Sequence, residues 1–130
     1  MKKRATTLLA FALAGTAPAS ATDPIPDPAQ VYPENYAILL ENDCVRVMDF
    51  KLRQAATEQP HRHPAHVLYV LEGFRVEFTL PDGSKALRET RAGDVLFSPP
   101  VTHSPKNIGD TDAHGILIEL KNPDACPRTS

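Results

Sequence analysis

Tryptophan is absent from the 130 residues, and there are only two cysteines, six glycines and 6% aromatic residues. So few glycines exclude a collagen-like repeat, and two cysteines are too few for a disulfide-rich scaffold. After residue 21 no segment sustains an apolar stripe at i, i+3 and i+4, which argues against a helix bundle. A basic excess is missing too. The formal net charge is −2, and setting aside Lys2, Lys3 and Arg4 leaves 11 basic residues against 16 acidic ones, a net −5. Nucleic acid and anionic membrane surfaces are therefore poor partners. No Ser/His/Asp or Cys/His arrangement, phosphate-cradling glycine loop, dinucleotide fingerprint or internal repeat is visible.

What is present begins with a leader. Met1–Arg4 is basic, Ala5–Ala17 is a mainly apolar run, and Ala19-Ser20-Ala21 is a small-residue cleavage site. The apolar run falls short of the roughly 20 residues that span a bilayer. Cleavage before Thr22 would release a soluble exported chain of about 109 residues, periplasmic or secreted, with no membrane contact after signal removal. One domain fits that length. The expected division is 1–21 signal peptide, 22–35 proline-rich extended arm, 36–121 β-barrel and 122–130 C-terminal tail. Cys44 and Cys126 are an even pair in a compartment that permits disulfides. They form either one disulfide or two separate thiols.

Pro24, Pro26, Pro28 and Pro33 fix an extended backbone and remove amide donors, so the arm reads as neither helix nor central strand. Short β-type stretches follow at Tyr36–Leu40, Cys44–Leu52, His66–Leu71, Phe74–Leu80, Leu87–Thr90, Val95–Ser98 and Ala113–Leu120. Turn signals such as Pro81-Asp82-Gly83 separate them. Phe74, Val76, Phe78 and Leu80 share one face of their stretch, as in a half-buried antiparallel strand. Many short strands at near-regular spacing indicate an all-β sandwich or barrel. The arm and the uncovered edge strands are compatible with a homodimer.

The chemistry sits in the histidines. His61-Arg62-His63-Pro64-Ala65-His66 puts three of the five within six residues, and His103 follows some 37 residues later. In extended chain His61 and His63 point to the same side, as two ligands of one metal require. His66 shares a face with Leu68 and Val70 and points inward if that face is the interior. His114 shares a face with Ile116, Ile118 and Leu120, which makes it a candidate pocket or second-shell residue. Glu72, at the end of its strand, is either a carboxylate aimed into the mouth or a solvated edge residue. The direction of Glu58, in its loop, stays open.

These residues resemble the cupin superfamily, whose motifs run G-x5-H-x-H-x3,4-E-x6-G and G-x5-P-x-G-x2-H-x3-N. His61, His63 and Gly73 match the first motif, with His66 in the glutamate's place and Ala55 where the opening glycine is expected. Gly93, Pro99, His103 and Asn107 match the second, with Val101 replacing the inner glycine and one residue missing before His103. The resemblance spans about residues 44–121. It implies a double-stranded β-helix, or jelly roll, with one divalent transition metal in the barrel mouth. His61, His63 and His103 would hold the metal, with His66 as a fourth ligand or a residue lining the pocket. Imidazole ligation suits Fe, Ni, Cu and Zn; iron is the first expectation for the site, with Mn, Ni, Cu or Zn as alternatives. The implied function is a dioxygenase-like or isomerase enzyme acting on a small anionic substrate; the alternative is a non-catalytic module that binds a metal or small molecule for sensing, storage or delivery.

Overall fold

A computed structural model describes residues 24–126 of the chain; the expected leader and its cleavage point lie outside the described residues. The arm contains one helical turn, α1 (Pro28–Val31), where the sequence suggested extended chain throughout. Asp27 caps the turn by accepting from the Ala29 amide at 2.9 Å. Pro28 occupies the first turn, where its missing N–H leaves no bond unmade.

Nine strands follow: β1 (Tyr36–Glu41), β2 (Val45–Leu52), β3 (His61–His63), β4 (His66–Glu72), β5 (Arg75–Thr79), β6 (Lys85–Glu89), β7 (Val95–Ser98), β8 (Val101–Asn107) and β9 (Ala113–Leu120). They form two antiparallel sheets, a five-stranded one in the order β1-β2-β9-β4-β7 and a four-stranded one in the order β3-β8-β5-β6. The order interleaves distant strands, so β9 fills the gap between β2 and β4. Two facing sheets of this kind enclose a barrel-like core. That core comprises Leu52, Val70, Phe74, Val76 and Ala113 at one end and Tyr36, Met48 and Leu117 at the other.

Two strands, β3 and β8, were not among the stretches expected from period-two apolarity. Both carry the site's histidines on inward positions, so their buried face is polar and the apolar signal is missing. The alternation in β9 is present but its faces are exchanged. Ala113, Gly115, Leu117 and Glu119 are buried, whereas His114, Ile116 and Ile118 lie on the outer side. Outside, Leu40, Val47, Ile118, Val67 and Phe97 line up in one cross-strand row over all five strands.

The motif residues position the chain. Ala55, where a glycine is expected, has φ 63, the left-handed conformation that glycine adopts without strain. Asn107 is buried; its Nδ2 donates to the Leu52 and Thr111 carbonyls and its Oδ1 accepts from the Gly109 amide. It thereby ties the β8–β9 turn to the end of β2. Cys44 and Cys126 form a disulfide with Cα atoms 5.1 Å apart, joining the start of β2 to the short 3-10 turn Pro123–Ala125 after β9.

Candidate metal centre

In β3 the side chains of His61 and His63 point inward and are buried, while Arg62 between them is exposed. Strand β8 pairs with β3 so that His103 stands directly opposite His61. The three rings form a near-equilateral group, with centroids 4.9 Å (His61–His63), 5.1 Å (His61–His103) and 5.3 Å (His63–His103) apart. One nitrogen from each lies within 4.8 Å of the others. This is the trio that the two motifs implied.

The rings are oriented by their other nitrogens. His61 Nδ1 lies 3.0 Å from the Gln59 carbonyl, which only a protonated Nδ1 can donate to; Nε2 is then left as the lone-pair atom. His63 Nδ1 lies 2.7 Å from Glu119 Oε1. Glu119 is itself buried, and its second oxygen is bound by Arg46, which clamps Asp27 of the arm with its other nitrogens at 2.7 and 3.0 Å. The His103 ring makes no hydrogen bond among the described residues and packs against Phe78, with ring centroids 4.6 Å apart.

Below the trio lies a second buried carboxylate. Glu58 accepts from Asn35 Nδ2 at 2.6 Å and from the Tyr36 hydroxyl at 2.9 Å, and its Oε2 is 3.5 Å from His61 Nδ1. Burial pushes the Glu58 carboxyl up. Burial and then the neighbouring Glu58 raise the Tyr36 phenol well above its ordinary value, so the hydroxyl keeps its proton and donates it. Burial, assisted by His63, drives His61 down to about 4, and burial drives His103 down to about 3. His66 is lowered by the same cause. At neutral pH, His61 and His103 are therefore neutral imidazoles, the form that binds metals.

His66 points inward as its parity suggested, with its ring centroid 5.1 Å from that of His63 and its Nδ1 2.9 Å from the Pro64 carbonyl. It stands beside the trio rather than among the three nitrogens within 4.8 Å of one another. Two other candidates are corrected by the structure. His114 projects from the outer side of β9 and binds Asp49 Oδ1 at 2.7 Å, because the inner side of β9 is the one bearing Gly115 and Glu119. Glu72 is exposed: a register irregularity after Val70 sets it opposite outward-facing His114. The carboxylates that do flank the site, Glu58 and Glu119, carried little sequence signal. One lies in a loop, and the other sits in an apolar strand where an acid reads as solvated.

Beside the histidines, between the sheets, is a cavity of about 170 Å³ whose walls include Leu68, Phe74, Phe78 and Leu96, with His66 and His103 at its edge. A narrower space of about 60 Å³ continues past Tyr36, Phe50 and His63.

A cupin domain from Bordetella pertussis Tohama I is similar in structure with a TM-score of 0.61 at 21% identity, over 67% of this chain and 92% of that one. The chain has the cupin fold. An RmlC-like cupin with a double-stranded β-helix from Methanocaldococcus jannaschii gives a TM-score of 0.54 at 15% identity, over 68% of this chain and 81% of that one. A polyketide cyclase from Streptomyces resistomycificus gives 0.52 at 22% identity, over 67% of this chain and 64% of that one. No protein-family model and no curated protein matches the sequence.

Within the cupin fold, the donor set fits a divalent transition ion. Three convergent imidazoles, two of them held neutral by burial, match the nitrogen ligation that Fe, Ni, Cu and Zn accept. Glu119 and the Gln59 carbonyl supply the outer contacts that fix ligand orientation in such sites.

Proposed function

We propose that this chain is an exported small cupin whose histidine trio, His61, His63 and His103, holds one divalent transition metal, iron first and Mn, Ni, Cu or Zn as alternatives. The reading continues to a metal-dependent oxygenase-like or isomerase activity on a small anionic molecule seated in the adjoining cavity. The convergence of three inward imidazoles from β3 and β8 carries it. Bound there, a divalent ion supplies Lewis acidity and, if redox-active, a route to dioxygen chemistry. The protein's own residues do the rest. Glu119 holds His63 in orientation, Tyr36 and Asn35 hold Glu58 under His61, and the Phe74 and Phe78 side chains keep the neighbouring cavity apolar. With neutral protein ligands the ion keeps its full charge, which favours an anionic partner.

A second reading, a non-catalytic module for sensing, storage or delivery, is favoured by one observation: among the described residues no carboxylate lines either cavity, so proton transfer there would fall to His66, the one imidazole outside the trio. Turnover of small thiols, β-diketones or phenolic acids separates the two. Homodimer formation belongs to the proposal as well. The apolar outer row through Val47, Ile118, Val67 and Phe97 gives a second copy a surface to cover, and sedimentation velocity of the mature chain distinguishes dimer from monomer.

The deciding experiment is elemental analysis of the mature protein, exported and purified without chelator or affinity metal, beside the His61→Ala/His103→Ala double variant. About one metal per chain, lost in the variant, is expected. Equal metal in both proteins would overturn the site. Recovery of the mature protein from the periplasm or medium, with Thr22 at its N-terminus, tests export in the same preparation.

A further inference from the structure

Arg88 distinguishes this cavity from a simple apolar pocket. It lies on β6 opposite Val76 of β5, and Val76 is buried in the core, so the Arg88 side chain leaves the strand on the inner face. It reaches the wall of the same cavity that His66 and His103 border. Of the residues lining that cavity, Arg88 alone carries a permanent charge. Among the described residues it has no ion-pair or hydrogen-bond partner, whereas Arg46 is fully engaged with Asp27 and Glu119.

We propose, building on the reading of the cavity as a ligand site beside the histidines, that it binds a small organic carboxylate of about one aromatic ring's bulk, with the carboxylate on Arg88 and the apolar body among Leu68, Phe74, Phe78 and Leu96. The size follows from the volume of about 170 Å³. A cavity of about 150 Å³ lined by similar side chains accommodates benzene. The charge follows from Arg88: a guanidinium stays ionised at any working pH and presents paired donors that match a carboxylate in a two-point contact. Apolar walls strengthen that contact by thinning the water around it. A cationic ligand would meet like charge at Arg88, and a neutral one could accept from its donors only without the charge that strengthens the bond.

The test uses benzoate as the probe and benzamide as its neutral counterpart, titrated calorimetrically into the mature chain after chelator treatment and again after loading with zinc. Wild type is compared with Arg88→Gln; the residue is exposed at the cavity rim, so circular dichroism and zinc content should match wild type. Benzoate is expected to bind at least tenfold more tightly than benzamide to wild type, and the difference should fall within twofold in Arg88→Gln. Equal affinity for the two probes, binding of neither in both preparations, or a benzoate preference that survives Arg88→Gln overturns the proposal. The two readings fail separately. If zinc is not retained but the Arg88-dependent preference is seen in the chelator-treated protein, the metal reading falls and this one stands. If zinc is retained but Arg88→Gln changes nothing, the reverse holds.

Discussion

Single residues set the site's chemistry through what they leave free. His63 is steered by Glu119, which shares itself between His63 Nδ1 and Arg46. Replacing Glu119 by Gln keeps an acceptor for the ring but removes the buried negative charge, so metal affinity should fall by about tenfold or more. Competition with a chelating dye reads that loss, and an unchanged affinity in a variant that melts like wild type would show that Glu119 is only a structural partner of Arg46. At Ala55 the strain runs the other way. A Cβ in the left-handed region costs roughly 1–2 kcal/mol, and Ala55 bears that strain at φ 63. Ala55→Gly should therefore stabilise the fold by about 1 kcal/mol, less the entropy glycine gains when unfolded; a lower midpoint in urea would contradict this. Of the residues in the centre, the trio could be read from spacing because extended chain fixes the direction of His61 relative to His63. Glu119 and Glu58 could not, since an acid's burial depends on partners that are distant in sequence, Arg46 for one and Asn35 with Tyr36 for the other.

At the scale of elements, strand alternation was readable wherever the inner face is apolar, and misleading where the inner face is polar. β5 obeys the simple rule, with Phe74 just before it and Val76 buried and Phe78 facing the cavity. β3 and β8 defeat it because they devote their inner positions to His61, His63 and His103. β9 inverts it, since its inner face includes Gly115 and Glu119 while Ile116 and Ile118 lie outside. The reason for Gly115 is geometric. A Cβ there would come within 2.7 Å of the Tyr69 carbonyl oxygen and 2.8 Å of Leu68 Cδ1. β9 is bonded to β2 on one edge and β4 on the other, which leaves it little room to move away. Gly115→Ala should cost about 1–3 kcal/mol, as overpacked positions do, and should displace Leu68, a wall of the cavity. Thermal denaturation together with benzoate titration reads both effects; a stability equal to wild type would show that the two strands part more readily than their pairing suggests.

At the scale of the whole molecule, the interior is apolar in its core but is lined at one end by imidazoles and buried carboxylates, while the outside of the larger sheet is apolar. The disulfide secures this arrangement covalently by closing 82 residues, nearly the whole barrel. Constraining the unfolded chain over such a loop is worth about 4.5 kcal/mol in the entropic account. Reduction, or Cys44→Ser with Cys126→Ser, should lower the urea midpoint accordingly; a midpoint unmoved by reductant would show that the bond adds nothing to stability. The histidine end makes the metal-free molecule sensitive to acid. Unfolded imidazoles titrate near 6.5, whereas burial holds His61 to about 4 and His103 to about 3 in the folded chain. Between those limits the unfolded state binds more protons, so stability is present above about 6.5 and is lost as pH falls, at up to about 1.4 kcal/mol per pH unit for each histidine. Glu58, raised by burial above its ordinary 4.5, works against this trend near and above that value, because there the folded state binds the extra proton. Two histidines outweigh one carboxyl between pH 6.5 and 5, so the urea midpoint of chelator-treated protein should fall over that interval. Saturating zinc should hold it nearly level, because the bound ion occupies the nitrogens that protons would take. A midpoint equally flat with and without zinc would mean that these imidazoles are solvated in the folded chain, and a trio withdrawn from water, two of its rings buried and one half-buried, would then be wrong as a description of the site.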